Sequence, residues 1–272
     1  MNLQQYQELI KQSIDDNQAV ASKAEKQLDD VRIRTPQLYI TLIMQNFKTN
    51  PFHETTASSF LQLKALSEKV VFDISKIGDS AFKKMVQDTL FETLQRRDIN
   101  ENDLSVLASV IPGVAAKYLF RGEWNDYVPK LISAGRAAVN FGALVVLAGS
   151  ISLRIIRFEN YADDILFIMT RGFEKKEFQP HALGLLLALV NNVDKPDTLK
   201  QFAPKVSEVL KETPVSDLNL MLSRISEFVS KNKGFFSETK GQLIEAIDYV
   251  NSKPGVLARV KRMGNNIKDM LK

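Results

Sequence analysis

Cysteine is absent from the 272 residues. That excludes disulfide frameworks, thiolate zinc sites and cysteine nucleophiles, and it is compatible with a reducing compartment. Histidine is nearly absent. His53 and His181 lie far apart, beside Pro51 and Pro180, with no Asp or Glu spacing that would complete a metal site. Surface or capping positions account for them. No G-x-G-x-x-G, G-K-[ST] or G-x-S-x-G element occurs, so phosphate cradles and nucleophile elbows are not indicated. Gly142 and Gly149 lie inside an apolar stretch, where small residues let helices approach closely. The acidic pairs Asp15/Asp16, Asp29/Asp30 and Asp163/Asp164 would need a pocket that shifts their pKa values before they could do acid–base work. Capping and helix-dipole compensation explain them more simply. Neither an enzyme nor a bound cofactor or metal is expected.

Long apolar runs are also scarce. One stretch, 137–153, carries no charge between Arg136 and Arg154. It is at the short limit for a membrane span and contains Asn140, Gly142, Gly149, Ser150 and Ser152. A helix buried between neighbours is the expectation, with no span. The opening MNLQQYQELIKQSIDDN lacks the basic-then-apolar layout of a secretory signal and is too acidic for a transit peptide.

The formal charge of +4 and pI near 9.0 conceal an asymmetry. In 251–272, Lys253, Arg259, Lys261, Arg262, Lys268 and Lys272 face Asp269 alone, a net +5, so the remainder carries −1. A near-neutral body with a basic end is weak evidence for nucleic-acid binding.

What is present, almost everywhere, is apolar spacing of helical period. Leu3, Tyr6, Leu9, Ile10 and Ile14 form one face, and Asp15-Asp16-Asn17 supplies turn and N-cap chemistry. Val20, Ala21, Ala24, Leu28 and Val31 form the next. Thr35-Pro36 opens a third helix through Phe47, Asn50-Pro51 stops it, and a fourth runs from Ala57 to Val70. Further pairs are read at 76–97 with 101–119, 124–136 with 137–157, 160–174 with 179–192, 198–211 with 215–231, and 236–251 with 255–271. That makes about seven pairs with a period of roughly 35 to 40 residues, at or just below the HEAT/armadillo range.

Residues repeat along with the rhythm. Tyr127-Val128-Pro129-Lys130-Leu131 returns as Phe202-Ala203-Pro204-Lys205-Val206, and Tyr161-Ala162-Asp163-Asp164-Ile165 lies between them. A lone helix pair cannot bury its apolar face, so the same face recurs in each unit. The expected fold is all-α: a single right-handed ARM/HEAT α-solenoid over 1–272, with 251–272 as a basic capping helix. An irregular helical domain with chance similarity is the alternative.

Three segments, in order, resemble the N-terminal HEAT repeats of importin-β-like nuclear transport receptors (karyopherins), in the flavour of the importin-5 branch. The stretch from Asp16 to Leu28, with its turn, Ala24-Glu25 pair and following leucine, is similar to the second helix of that family's first repeat. Ala57-Ser58-Ser59-Phe60-Leu61-Gln62-Leu63-Lys64 resembles the second-repeat helix, with Ala65 where the family often has Asn. Gly122-Glu123-Trp124-Asn125-Asp126-Tyr127-Val128-Pro129-Lys130-Leu131 resembles a Glu-Trp-Pro-x-Leu-x-Pro element, with Asn125 and Tyr127 in place of proline and leucine. Receptors of that family are several times longer and usually acidic. The resemblance therefore implies an N-terminal piece or a small divergent relative.

It also implies partners: the small GTPase Ran in its GTP form on the first repeats, nucleoporins on outer helices and cargo along the concave side, in cytoplasm and nucleus. The positions it implies for partner contact are Lys23, Lys26, Asp29, Asp30, Lys64 and Glu68. A HEAT adaptor or assembly scaffold unrelated to Ran is the alternative. The terminal patch Arg259, Lys261, Arg262 and Lys268 surrounds an apolar stripe of Val256, Leu257, Val260, Met263, Ile267 and Met270. It reads as a capping helix, a partner-binding helix or an interfacial membrane helix. Trp124 is expected to pack on the preceding pair with its N–H bonded to a carbonyl, and Phe235-Phe236 to anchor the last pair.

Overall fold

The computed structural model describes residues 1–49, 54–68, 73–96, 101–137, 141–193 and 196–272. Among them are fourteen α-helices and no strand. The helices are α1 (Leu3–Ser13), α2 (Gln18–Arg34), α3 (Pro36–Thr49), α4 (Glu54–Glu68), α5 (Ser80–Leu94), α6 (Glu101–Leu119) and α7 (Tyr127–Ala137). They continue with α8 (Phe141–Ser152), α9 (Ala162–Phe173), α10 (Gln179–Asn192), α11 (Ala203–Glu212), α12 (Leu218–Lys231), α13 (Lys240–Ser252) and α14 (Ala258–Leu271). Short 3₁₀ turns lie ahead of α5, α9, α10, α11 and α13.

Local chemistry sets many of these starts. Asn2 and Gln5 form a reciprocal capping box on α1, Asn17 accepts from the Ala19 N–H ahead of α2, and Asp79 accepts from the Phe82 N–H ahead of α5. Each satisfies amide groups that the first turn would otherwise leave open. The helix expected over 137–157 stops at Ser152. Arg154 takes a left-handed φ of 56° and the Ile155 N–H turns back to the Ser150 carbonyl at 2.9 Å, a C-terminal reversal that uses up free carbonyls. The helices expected from 124, 198 and 236 start later because tight turns occupy their first residues.

The chain forms two compact units, 1–134 and 135–272. In the first, α1 packs on α2, α3 and α4, α3 on α4 and α5, and α6 on α4 and α5. Ile10, Ile40, Ile43, Phe47, Phe60, Leu63 and Leu90 are fully buried there. In the second, α10 packs on α8 and α12, α14 on α12, and α13 on α11, while α9–α10, α11–α12 and α13–α14 pair as chain neighbours. Helices that touch both the next helix and the next but one form a two-layered stack of pairs, the packing of a repeat protein.

The three copies of the five-residue motif occupy equivalent places. It opens α7, α9 and α11, and its last residue, Leu131, Ile165 or Val206, is fully buried each time. The uncharged stretch contains α8, whose Ala143, Leu144, Val146, Leu147 and Ile151 are buried and which packs on α9 and α10. No described helix is long and apolar enough to cross a membrane. Residues 138–140 of that stretch lie outside the described residues, as do Asn50, Pro51 and His53.

Candidate protein-binding surfaces

In the first unit, α2 buries only Ala24 and Leu28. These lie one turn apart, so the opposite side of the helix presents Lys23, Lys26 and Asp30 as one exposed row at i, i+3 and i+7. Asp29 and Asp30 fall within α2, which continues to Arg34. Carboxylates there oppose the negative end of the helix dipole. Arg32 compensates: its guanidinium lies 2.7 Å from the Asp29 carboxylate, while its buried Nε makes no hydrogen bond to the described residues. Lys64 and Glu68 belong to α4, where they face each other at 3.9 Å.

Beneath α2 lies a buried polar network. Tyr39 donates from its hydroxyl to Gln62 Oε1 at 2.6 Å, and Tyr6 does so at 3.2 Å. The Tyr6 hydroxyl is also 2.8 Å from Ser59 Oγ, and Asn46 Nδ2 donates to that oxygen at 3.2 Å. Burial pushes both tyrosine pKa values up. The Arg32 and Asp29 charges of α2 act on Tyr39 in opposite directions, the guanidinium lowering its pKa and the carboxylate raising it. Single-sequence patterning gave no signal for this network, since Ser59 and Gln62 read only as polar positions in an apolar helix. Two open grooves flank the unit. One, between α1 and α2, is lined by Gln4, Gln5, Glu8, Leu9, Gln12 and Gln27. The other runs from Thr35, Pro36 and Leu38 to Lys76 and Ile77.

Trp124 is 5% exposed and sits in a ring cage of Phe91, Tyr118 and Tyr127, with centroids 4.9 to 5.9 Å away. Packing on the preceding pair is as expected, but the carbonyl partner is not found. Its φ of 63° turns the indole into aromatic edges and faces, and Nε1 makes no hydrogen bond to the described residues. Tyr118, fully buried beside it, has a hydroxyl in the same condition. Burial, with the carboxylates of Glu123 and Asp73 nearby, raises the Tyr118 pKa. Lys83 holds Glu123 from the other side at 2.6 Å.

In the second unit, the α14 stripe holds in part: Val256, Val260 and Ile267 are buried and Met263 and Met270 half-buried, but Leu257 is exposed because it precedes the helix, and Gly264 and Leu271 complete the buried face. Arg259, Lys261 and Arg262 are exposed. The structure separates Lys268 from them, half-buried and bonded to Asp248 at 2.6 Å. Lys253 turns inward and donates to the Lys211 and Thr213 carbonyls at 2.7 and 3.1 Å, capping the end of α11. Phe235 and Phe236 pack with Phe228 in a triad with centroids 4.7 to 5.2 Å apart, anchoring the last pairs. Asp163 and Asp164 lie in the first turn of α9 without capping it. They compensate the dipole, and Asp164 pairs with Arg136. His181 is half-buried at the start of α10, and no group of His, Asp or Glu suited to a metal occurs among the described residues.

No family model matches the chain, and no curated protein matches it significantly.

Proposed function

We propose that this protein acts by binding other proteins, as a right-handed HEAT-type superhelix of about seven helix pairs like the N-terminal part of an importin-β-type receptor. Ran in its GTP form docks on the first repeats, and nucleoporins and cargo use other faces, in traffic between cytoplasm and nucleus. The observation that carries this reading is α2. A 17-residue helix with two buried side chains contributes little to the core for its length. Its row of Lys23, Lys26 and Asp30, beside Asp29, is free to meet a charged partner. No chemistry is required of it: a curved stack makes many weak contacts, and small changes of pitch change which partner fits.

A pull-down with Ran locked in its GTP or GDP form tests this reading. Selective capture of the GTP form, lost in Lys23→Glu/Lys26→Glu, is the expected result. Equal capture of both forms, or of neither, removes Ran from the reading.

A second reading, a HEAT adaptor unrelated to Ran, draws on the internal pairing of Asp29 with Arg32 and of Lys64 with Glu68. Those pairs leave less uncompensated charge on α2 and α4 than an electrostatically steered GTPase contact would use. It predicts a partner indifferent to nucleotide state.

A further inference from the structure

We infer that the outward face of α14 is a docking surface for a short acidic segment of another protein, held by Arg259, Lys261 and Arg262. This surface belongs to the second unit and does not depend on the reading of α2.

Three neighbouring cations on one helix lack a counter-charge. Elsewhere in the unit, several cations are matched, Arg136 with Asp164, Lys176 with Glu212 and Lys211 with Glu245. Arg154, Arg157 and Lys240 also pair with no carboxylate among the described residues, but nowhere else in the unit do three such cations fall within four residues of one helix. Even on α14 the two other lysines are taken, Lys268 by Asp248 and Lys272 by Asp269. Asp269 is the helix's sole acid. Arg259, Lys261 and Arg262 have no carboxylate partner among the described residues. A terminal helix of a repeat stack needs only a polar outer face, and mixed charge supplies that. The exposed side of α2 does so with both signs, through Lys23, Lys26, Glu25 and Asp30. On α14 the one acid, Asp269, is taken by Lys272, so Arg259, Lys261 and Arg262 leave an uncompensated positive excess beyond what solubility requires.

The geometry narrows the partner. Arg259, Arg262 and the exposed Asn266 form one row at i, i+3 and i+7, about 10 Å long at the helical rise of ~1.5 Å per residue. Two guanidinium forks in line suit carboxylates, which they grip in bidentate fashion. Asn265 and Asn266 add amide donors and acceptors for a peptide backbone.

A membrane surface fits poorly, because the apolar stripe that would enter the lipid is buried against α12 and α13. A long polynucleotide fits poorly as well. Three cations fall short of the roughly 6–10 phosphate contacts of a strong nucleic-acid site.

The test uses the full chain and fluorescence anisotropy with three labelled probes: a short glutamate-rich peptide, a single-stranded oligonucleotide, and vesicles rich in phosphatidylserine. The peptide is expected to bind at low salt and weaken as salt rises. Arg259→Glu/Arg262→Glu is expected to bind it roughly tenfold more weakly, with an unchanged thermal midpoint because both side chains are exposed. Lys240→Glu, a single charge reversal at the start of α13, is expected to leave affinity within about twofold. Equal peptide affinity in the double variant overturns the inference, as does tighter binding of the oligonucleotide or the vesicles than of the peptide.

Discussion

Tyr39 and Gln62 are joined by a 2.6 Å hydrogen bond between α3 and α4, and Tyr6 of α1 reaches the same amide oxygen. One glutamine thereby fixes three helices, so the packing of the first unit is set by a polar contact as well as by apolar surface. Tyr39→Phe leaves that half-buried oxygen with only the longer bond and is expected to cost about 1 kcal/mol. Tyr6→Phe is expected to cost a similar amount. The double variant should lose more than the sum, because only it leaves the shared acceptor with neither tyrosine bond. Urea denaturation of the three variants measures this. Strict additivity contradicts a shared network.

Tyr118 offers the contrast. Its buried hydroxyl makes no hydrogen bond to the described residues, so Tyr118→Phe is expected to change stability at neutral pH by less than about 0.5 kcal/mol. Trp124→Ala, which empties the centre of the ring cage, is expected to cost about 3–5 kcal/mol.

The same tyrosines set the alkaline limit. The folded pKa values of Tyr6, Tyr39 and Tyr118 lie above the ordinary value of 10.0, chiefly through burial. The unfolded chain therefore loses these protons first as pH rises. Their contribution is complete below about pH 10 and declines above it. Stability measured from pH 8 upward should fall past pH 10, and less steeply in Tyr118→Phe. An identical slope in that variant would show that Tyr118 does not titrate across the unfolding transition.

Asp73 sets an acid limit. Burial opposes its ionisation, but hydrogen bonds from the Ser75 hydroxyl and N–H, with Arg121 and Lys76 close by, hold its carboxyl below the ordinary 3.8. A depressed folded pKa gives stability that is present above the unfolded value and lost as pH falls through the folded one. Asp73→Asn is expected to be less stable than the parent at pH 7 and to approach it below about pH 4. Thermal midpoints across that window check the sign.

Gly264 lets α14 approach α13. A Cβ at that position would lie 2.9 Å from Ile247 Cγ2 and 3.1 Å from the Asn251 amide. Gly264→Val is expected to cost about 1–3 kcal/mol through overpacking, read as a lowered midpoint. An unchanged midpoint would mean that the α13–α14 contact is not tightly packed.

Much of this molecule was legible in the sequence alone, because helical period, capping residues and proline positions are local. The 3.6-residue spacing placed most helices within a few residues. Thr35-Pro36 opened α3, and the recurring aromatic-x-x-x-apolar motif marked three equivalent helix starts. What only tertiary structure decided concerns partners distant in the chain. Periodicity cannot tell that Ser59 and Gln62 face Tyr6 and Tyr39, because a polar residue on a buried face looks the same with or without a partner. Nor can it tell that Trp124 turns into rings instead of toward a carbonyl, since a positive φ outside glycine is imposed by surrounding packing. Among the basic residues of α14, charge counting made one patch of four. The fold made three free cations and one ion pair, because α13 brings Asp248 to Lys268 and brings no carboxylate to the others.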